Sequence, residues 1–191
     1  MLRTTTTAEF FEAKYQVAVD PWDFATSSYE LQRYSTIVHS LNSRRFERAF
    51  EAGCSIGVLT NQLAAVCGEL FALDISSTAV AEARKRCSHH SNIHFLVGSL
   101  LTDVPEGSFD LIVLSEIGYY FNQLALKSIG ELLAERLLPG GMLVAAHWLG
   151  HSQDHVLEGD EVHAVIGALP QLRLTSSKRY TGYRMDHWTK A

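Results

Sequence analysis

The sequence predicts a doubly wound α/β fold: a seven-stranded sheet, mostly parallel with an antiparallel C-terminal strand, preceded by N-terminal helices. Three observations predict it. From residue 46 onward, short apolar runs alternate with stretches of helical periodicity, the pattern of consecutive βαβ units. The apolar run that ends at Ala52 opens into Gly53-Cys54-Ser55-Ile56-Gly57, and the next apolar run closes on an acid, Asp74. The segment FDLIVLS over 109–115 is apolar on both alternating faces, as a strand covered on both sides of a parallel sheet must be.

The elements follow in order. Residues 8–17 carry apolar side chains at helical spacing, and Asp20-Pro21-Trp22 breaks the pattern. Ser27 or Ser28 caps a second helix over 29–41, with Glu30 in its first turn, and Asn42-Ser43 ends it. A strand over 46–52, a helix over 58–66 and a strand over 70–74 come next. Ile75-Ser76-Ser77 starts a helix reaching Cys87, and 93–97 is the third strand. Residues 100–109 hold Pro105 and Gly107 and read as a loop, so the crossover helix there is short or absent. After the strand over 109–115, a helix spans 124–138, Pro139-Gly140-Gly141 is a sharp stop, and 142–148 is a strand. A helix over 160–169 and an antiparallel pair, 172–180 and 183–189, finish the chain. The whole reads as one domain over 1–191, with a helical cap or lid over 1–45 and a Rossmann-like core over 46–191.

Composition narrows the class. The chain has 191 residues, enough for one α/β domain with a sizeable core. Its net charge of −5 argues against a nucleic-acid partner, because phosphate binding needs a basic surface. Cys54, Cys67 and Cys87 are odd in number and lack metal-ligand spacing, which predicts buried thiols in a reducing compartment. Residues 1–11 have no apolar core of signal-peptide length and no run reaches membrane-spanning length, so a cytoplasmic protein that engages no membrane is expected. The stretch His151, Asp154, His155, Glu158, Asp160 and His163 is polar and histidine-rich but follows no known ligand spacing; it reads as an acceptor-binding loop, and no metal is expected.

The glycine turn is the chemical signal. Glycines let backbone approach a ligand closely, and an acid ending the next strand accepts hydrogen bonds from ribose hydroxyls. A dinucleotide fingerprint would read G-x-G-x-x-G. Here the order is acid-x-Gly-x-Ser-x-Gly, from Glu51 to Gly57. That resembles the first motif of class I S-adenosylmethionine-dependent methyltransferases, with Ser55 at a position where the family has glycine. Asp74-Ile75-Ser76 resembles their second motif, FDLIVLSE with Gly118-Tyr119-Tyr120 the fourth, and Leu138-Pro139-Gly140-Gly141 the turn before the fifth strand. Asp20-Pro21-Trp22 and Ser115-Glu116-Ile117-Gly118-Tyr119-Tyr120 are similar to the nodulation protein S (NodS) group. The resemblance implies S-adenosyl-L-methionine as cofactor, S-adenosyl-L-homocysteine as product, and methylation of a small acceptor amine such as an amino sugar ending a chitin-derived oligosaccharide. A small-molecule O-methyltransferase and a non-catalytic module that binds the cofactor to regulate a partner are the alternatives. Monomer and homodimer stay open.

The resemblance, together with where residues fall along the elements, assigns roles, and for Arg33, Trp22, Glu116, Tyr119 and His147 position and residue chemistry carry the assignment. Gly53 and Gly57 pass under the cofactor, Glu51 and Ser115 belong to its site, Asp74 takes the ribose hydroxyls and Ile75 lies against adenine. Ser99 and Leu100 contact the adenine edge; Ser99 stands where relatives carry an aspartate, with Asp103 further on, so backbone groups are expected to read the base. Arg33 pairs with the cofactor carboxylate, and Trp22 covers the cofactor within an N-terminal lid reaching Thr26. Glu116, Tyr119 and His147 position the acceptor and take its proton. Because Gly53, Asp74, Ser99, Ser115, Glu116 and His147 all fall at strand C-terminal ends, one shared pocket is expected there.

Overall fold

In the computed structural model, which describes residues 5–191, the chain divides into two compact units. The first four residues, part of the N-terminal stretch 1–11 discussed above, lie outside the described residues.

One unit covers 7–105. Helices α1 (Ala8–Val17) and α2 (Ser28–Ser40) precede β1 (Phe46–Ala52), α3 (Val58–Leu63), β2 (Cys67–Asp74), α4 (Ser77–Arg86) and β3 (Ile93–Val97). β2 lies between β1 and β3 and is parallel to both, in registers Phe46↔Cys67 and Leu70↔Ile93. Capping follows the sequence: the Ser27 hydroxyl accepts the Glu30 N–H, and the Ser76 hydroxyl accepts the Ala79 N–H. A single 3₁₀ turn, Ala64–Val66, ends the helix expected over 58–66. Between β3 and residue 105 there is no helix, as Pro105 and its surroundings predict.

The other unit covers 106–191 together with residues 5 and 6. It holds β4 (Phe109–Ser115), a 3₁₀ turn at Gly118–Tyr120, α5 (Gln123–Arg136), β5 (Leu137–Trp148), α6 (Gly159–Gly167), β6 (Leu172–Tyr180) and β7 (Tyr183–Lys190). β4 and β5 are parallel; β7 runs antiparallel to both β5 and β6. Among the described residues the strands therefore total seven, mostly parallel with an antiparallel C-terminal member. α5 stops at Arg136, and β5 already begins at Leu137. The register jumps from Phe109↔Leu137 to Leu111↔Met142, so Pro139-Gly140-Gly141 forms a bulge inside the strand instead of the expected stop before it. Gly140, at φ 74°, makes that bulge possible. Leu111, Ile112, Val113 and Leu114 on β4 pack with Leu143, Val144 and Ala145 on β5 in a fully buried core. Among the described residues no helix is long and apolar enough to cross a membrane.

Candidate active site

In the 7–105 unit, the chain leaving β1 makes a turn with three left-handed residues: Gly53 (φ 77°), Ser55 (φ 49°) and Gly57 (φ 80°). The N–H groups of Gly53 and Cys54 both donate to the Leu73 carbonyl at the end of β2, at 2.8 and 2.9 Å. The Asp74 carboxylate closes the arrangement: Oδ2 accepts the Ser55 N–H at 2.8 Å and Oδ1 accepts the Ser76 N–H at 3.0 Å. Burial pushes the Asp74 carboxyl up; the N–H groups of Ser76, Ser55 and Ile75 act against that, and the Glu12 charge adds to it. A carboxylate offers about four acceptor sites, so Asp74 can also take an incoming hydroxyl.

A Cβ on Gly57 would stand 2.9 Å from the Ala83 Cβ, 3.0 Å from the Ala83 Cα and 3.2 Å from the Cys87 Sγ. Gly57→Ala is thus expected to combine a left-handed penalty with overpacking against α4, lowering unfolding stability by about 3 kcal/mol in urea titration.

Glu51 ends the buried side of β1. The residue is 2 % exposed and its Oε2 is buried and makes no hydrogen bond. Burial pushes its carboxyl up to about 8, with the Thr60 hydroxyl moderating the shift and the Asp74 charge adding to it. A buried acid with a raised pKa beside a turn bare of side chains at Gly53 and Gly57 suits a cationic group.

Two residues of α1 that belong to no motif, Tyr15 and Glu12, reach this turn and the start of α4. The Tyr15 hydroxyl and Ser55 Oγ are 2.6 Å apart. Glu12 accepts from the Ser76 hydroxyl at 2.6 Å and also takes the Thr78 hydroxyl and N–H, so it caps the start of α4. These bonds hold the Glu12 carboxyl down to about 2. Only the folded chain brings residue 12 to residue 76, and no local pattern announces it.

The other expected cofactor residues of this unit fall as follows. Trp22 stacks on Phe24 at 5.6 Å and meets the Tyr15 ring edge-on at 5.5 Å. Arg33 is fully buried on α2, paired with Glu30, its guanidinium 5.6 and 5.4 Å from the Tyr29 and Tyr34 rings. Ile75 follows Asp74 and is partly exposed, and Leu100 is buried. The Ser99 N–H is already bonded to Asp103 Oδ2 at 2.8 Å, while its hydroxyl accepts the Leu101 N–H. The Ser99 N–H is therefore committed to its own turn, which leaves the neighbouring groups for contact with a base.

In the 106–191 unit, Ser115 ends β4 with its hydroxyl buried and without a hydrogen-bond partner. Glu116 follows at φ 56°, a left-handed conformation that costs a non-glycine residue about 1–2 kcal/mol. Its side chain is fixed at both oxygens: Oε1 accepts the Trp148 N–H at 2.7 Å and Oε2 accepts the Tyr119 hydroxyl at 2.6 Å. The Tyr119 ring stacks on His155 at 3.7 Å, and its carbonyl accepts the N–H groups of Val156 and Leu157, which seats the histidine-rich loop on the Gly118–Tyr120 turn. Burial and the Glu116 charge push the Tyr120 hydroxyl up. His147 is fully buried on β5, and its Nε2 accepts the Gly118 N–H at 3.0 Å. That bond uses the lone pair with which it would take a proton from an acceptor.

The fold is the one seen in solved methyltransferase structures. The structure overlays on a crystal structure of the N-methyltransferase NodS from Bradyrhizobium japonicum, solved with S-adenosyl-L-homocysteine, at a TM-score of 0.85, covering 97 % of this chain and 99 % of that one at 21 % identity. Residues 6–165 match the family described as nodulation protein S, and the chain belongs to that family. Nodulation protein S of Sinorhizobium fredii is 32 % identical over 129 residues, 66 % of this chain and 60 % of the relative. The Rhizobium tropici protein is 33 % identical over 130 residues, 66 % of this chain and 54 % of the relative. The aligned part thus spans less than two thirds of these curated relatives.

Proposed function

We propose that this chain transfers a methyl group from S-adenosyl-L-methionine to the amine of a small acceptor, an amino sugar such as the one ending a chitin-derived oligosaccharide. The observation that carries the reading is the turn from Gly53 to Gly57, three left-handed residues closed by the Asp74 carboxylate, in a chain of the NodS family. The names of the S. fredii and R. tropici relatives, and the N-methyltransferase activity of the B. japonicum protein, support it.

The residues present fit the cofactor. Gly53 and Gly57 keep their positions in the turn bare of side chains, the Asp74 carboxylate can accept a further hydroxyl, and Glu51 offers a buried oxygen lacking a partner. The sulfonium supplies an activated methyl group and a neutral thioether leaving group. What remains for the protein is to hold the amine in line, exclude water and accept the proton that the amine loses. Glu116 fits that task because its side chain is held rigidly by the Trp148 N–H and the Tyr119 hydroxyl. Tyr119 orients it, and the ring's stacking on His155 ties the acceptor loop to the same turn.

Titration with S-adenosylhomocysteine tests the cofactor half. Asp74→Ala is expected to weaken binding at least about 30-fold, from two lost hydrogen bonds to a charged group. Asp74→Asn keeps an acceptor for the Ser55 N–H and should fold where the alanine variant does not. Unchanged affinity in both variants, or binding of NADH in place of S-adenosylhomocysteine, overturns the reading.

A further inference from the structure

His147 leads into a buried chain of polar groups that the reaction as proposed does not use. Its Nδ1 lies 3.2 Å from His163 Nε2 on α6, and His163 Nδ1 lies 2.8 Å from Asp186 Oδ2 on β7. His147, His163 and Asp186 are each no more than 1 % exposed. The register pairs Ala145 with Asp186 and His147 with Arg184, so these side chains share the sheet face that α6 covers.

The direction of every bond is fixed by one end. A backbone N–H can only donate, so the Gly118 N–H makes His147 Nε2 an acceptor. His147 is then neutral with its proton on Nδ1, and it donates to His163 Nε2. His163 in turn carries its proton on Nδ1 and donates it to Asp186. Arg184 Nη2 holds the same Asp186 oxygen at 2.7 Å. Among the described residues no three such side chains are placed to hold a metal ion.

The free end of the chain is Gly118, two residues after Glu116 and one before Tyr119. A Cβ at Gly118 would stand 2.4 Å from Val162 Cγ1 and 2.9 Å from His147 Nε2, so the backbone is seated directly on the imidazole. We propose that the relay Asp186–His163–His147 is a positioning device that fixes the Gly118 N–H and thereby the Glu116–Tyr120 turn that holds the acceptor, and that His147 is a positioning residue and not the proton acceptor. This rests on the proposed role of Glu116 and Tyr119, and it replaces the proton-taking role that strand-end position alone assigns to His147.

The test reads the tautomers directly and needs no acceptor. Long-range proton–nitrogen correlation of ¹⁵N-histidine-labelled protein at neutral pH is expected to show both His147 and His163 as neutral Nδ1–H forms. Single His147→Gln and His163→Gln variants assign the signals. An Nε2–H form or an imidazolium at His147 overturns the proposal. The functional consequence is read with a chitin tetrasaccharide bearing one free amine. His147→Gln, whose Oε1 can still accept the Gly118 N–H, is expected to keep most of the turnover and the shape of the pH–rate profile. His147→Leu should lose about tenfold or more in kcat, with S-adenosylhomocysteine affinity within about twofold. Loss of an ionisation from the profile of the Gln variant would mean that His147 takes the proton and would sink the proposal. Tautomers as expected with no methylation of this oligosaccharide by wild type would leave the relay standing and remove the acceptor assigned above.

Discussion

Glu51→Gln is expected to make the protein more stable as pH rises and worse at holding its cofactor. The folded carboxyl sits near 8 against an ordinary value of 4.5. Between those values the native state binds a proton that the unfolded chain has released, so wild-type stability falls as pH rises through that window. Above it the fold carries a buried anion. Glutamine keeps the shape and a donor or acceptor for Thr60, and never has to ionise. The two proteins should therefore unfold alike at pH 5, and the variant should gain steadily to an advantage of up to about 4 kcal/mol near pH 8. Urea midpoints across that range check it; parallel curves would mean that Glu51 is already ionised in the fold.

Cofactor affinity should move the opposite way. If the buried oxygen serves a cationic group of the ligand, binding favours the carboxylate and releases the proton held in the free protein. Wild-type affinity for S-adenosylhomocysteine then rises with pH, up to about tenfold per unit, and levels off near 8. The Gln variant should bind at least about tenfold more weakly at pH 8 and lose that pH dependence. A single substitution that stabilises the fold while weakening the ligand site is the signature of a residue kept for binding and not for packing.

What the sequence made legible, and what it did not, separates along the same physical line. The helix over 8–17 and the strands over 46–52, 93–97 and 109–115 coincide with α1, β1, β3 and β4, because each is an apolar run or a periodic stretch bounded by turn residues. β2 starts three residues before the expected Leu70, since the pairing Phe46↔Cys67 carries the ladder across Cys67-Gly68-Glu69, whose polarity hid it. Leu137 continues the helical period of α5 yet belongs to β5; only the neighbouring strand β4 decides between the two. Within the site, Gly53, Gly57 and Asp74 were legible because a left-handed turn and the acid that closes it constrain residue type locally. The left-handed conformations of Ser55 and Glu116 were not, as neither is a glycine or an asparagine. His147, His163 and Asp186 are 16 and 23 residues apart and meet only across α6 and the β5–β7 pair. Nothing in the local pattern at His147 separates a strand-end base from the end of a buried relay.

Glu116→Gln is expected to lower turnover about 100-fold or more while leaving S-adenosylhomocysteine affinity within about twofold. The substitution is nearly isosteric, and the surroundings dictate how the amide settles. The Trp148 N–H is a backbone donor and must face an acceptor, so the glutamine Oε1 takes that bond. The amide nitrogen then points at the Tyr119 oxygen and donates, and the tyrosine hydroxyl, which can accept as well as donate, reverses its role. The turn survives with its hydrogen bonds intact, and what disappears is the negative charge and the lone pair that would face the amine. Glu116→Gly separates the remaining term. It removes the left-handed penalty at φ 56° but strands both the Trp148 N–H and the Tyr119 hydroxyl. A Gln variant as slow as the Gly variant assigns the catalytic contribution to the charge; a fast Gln variant beside a slow Gly variant assigns it to the shape of the turn. The strain at residue 116 has a purpose only in the first case: φ near +56° directs the carboxylate to two fixed donors, an arrangement that a relaxed backbone at the end of β4 would not supply.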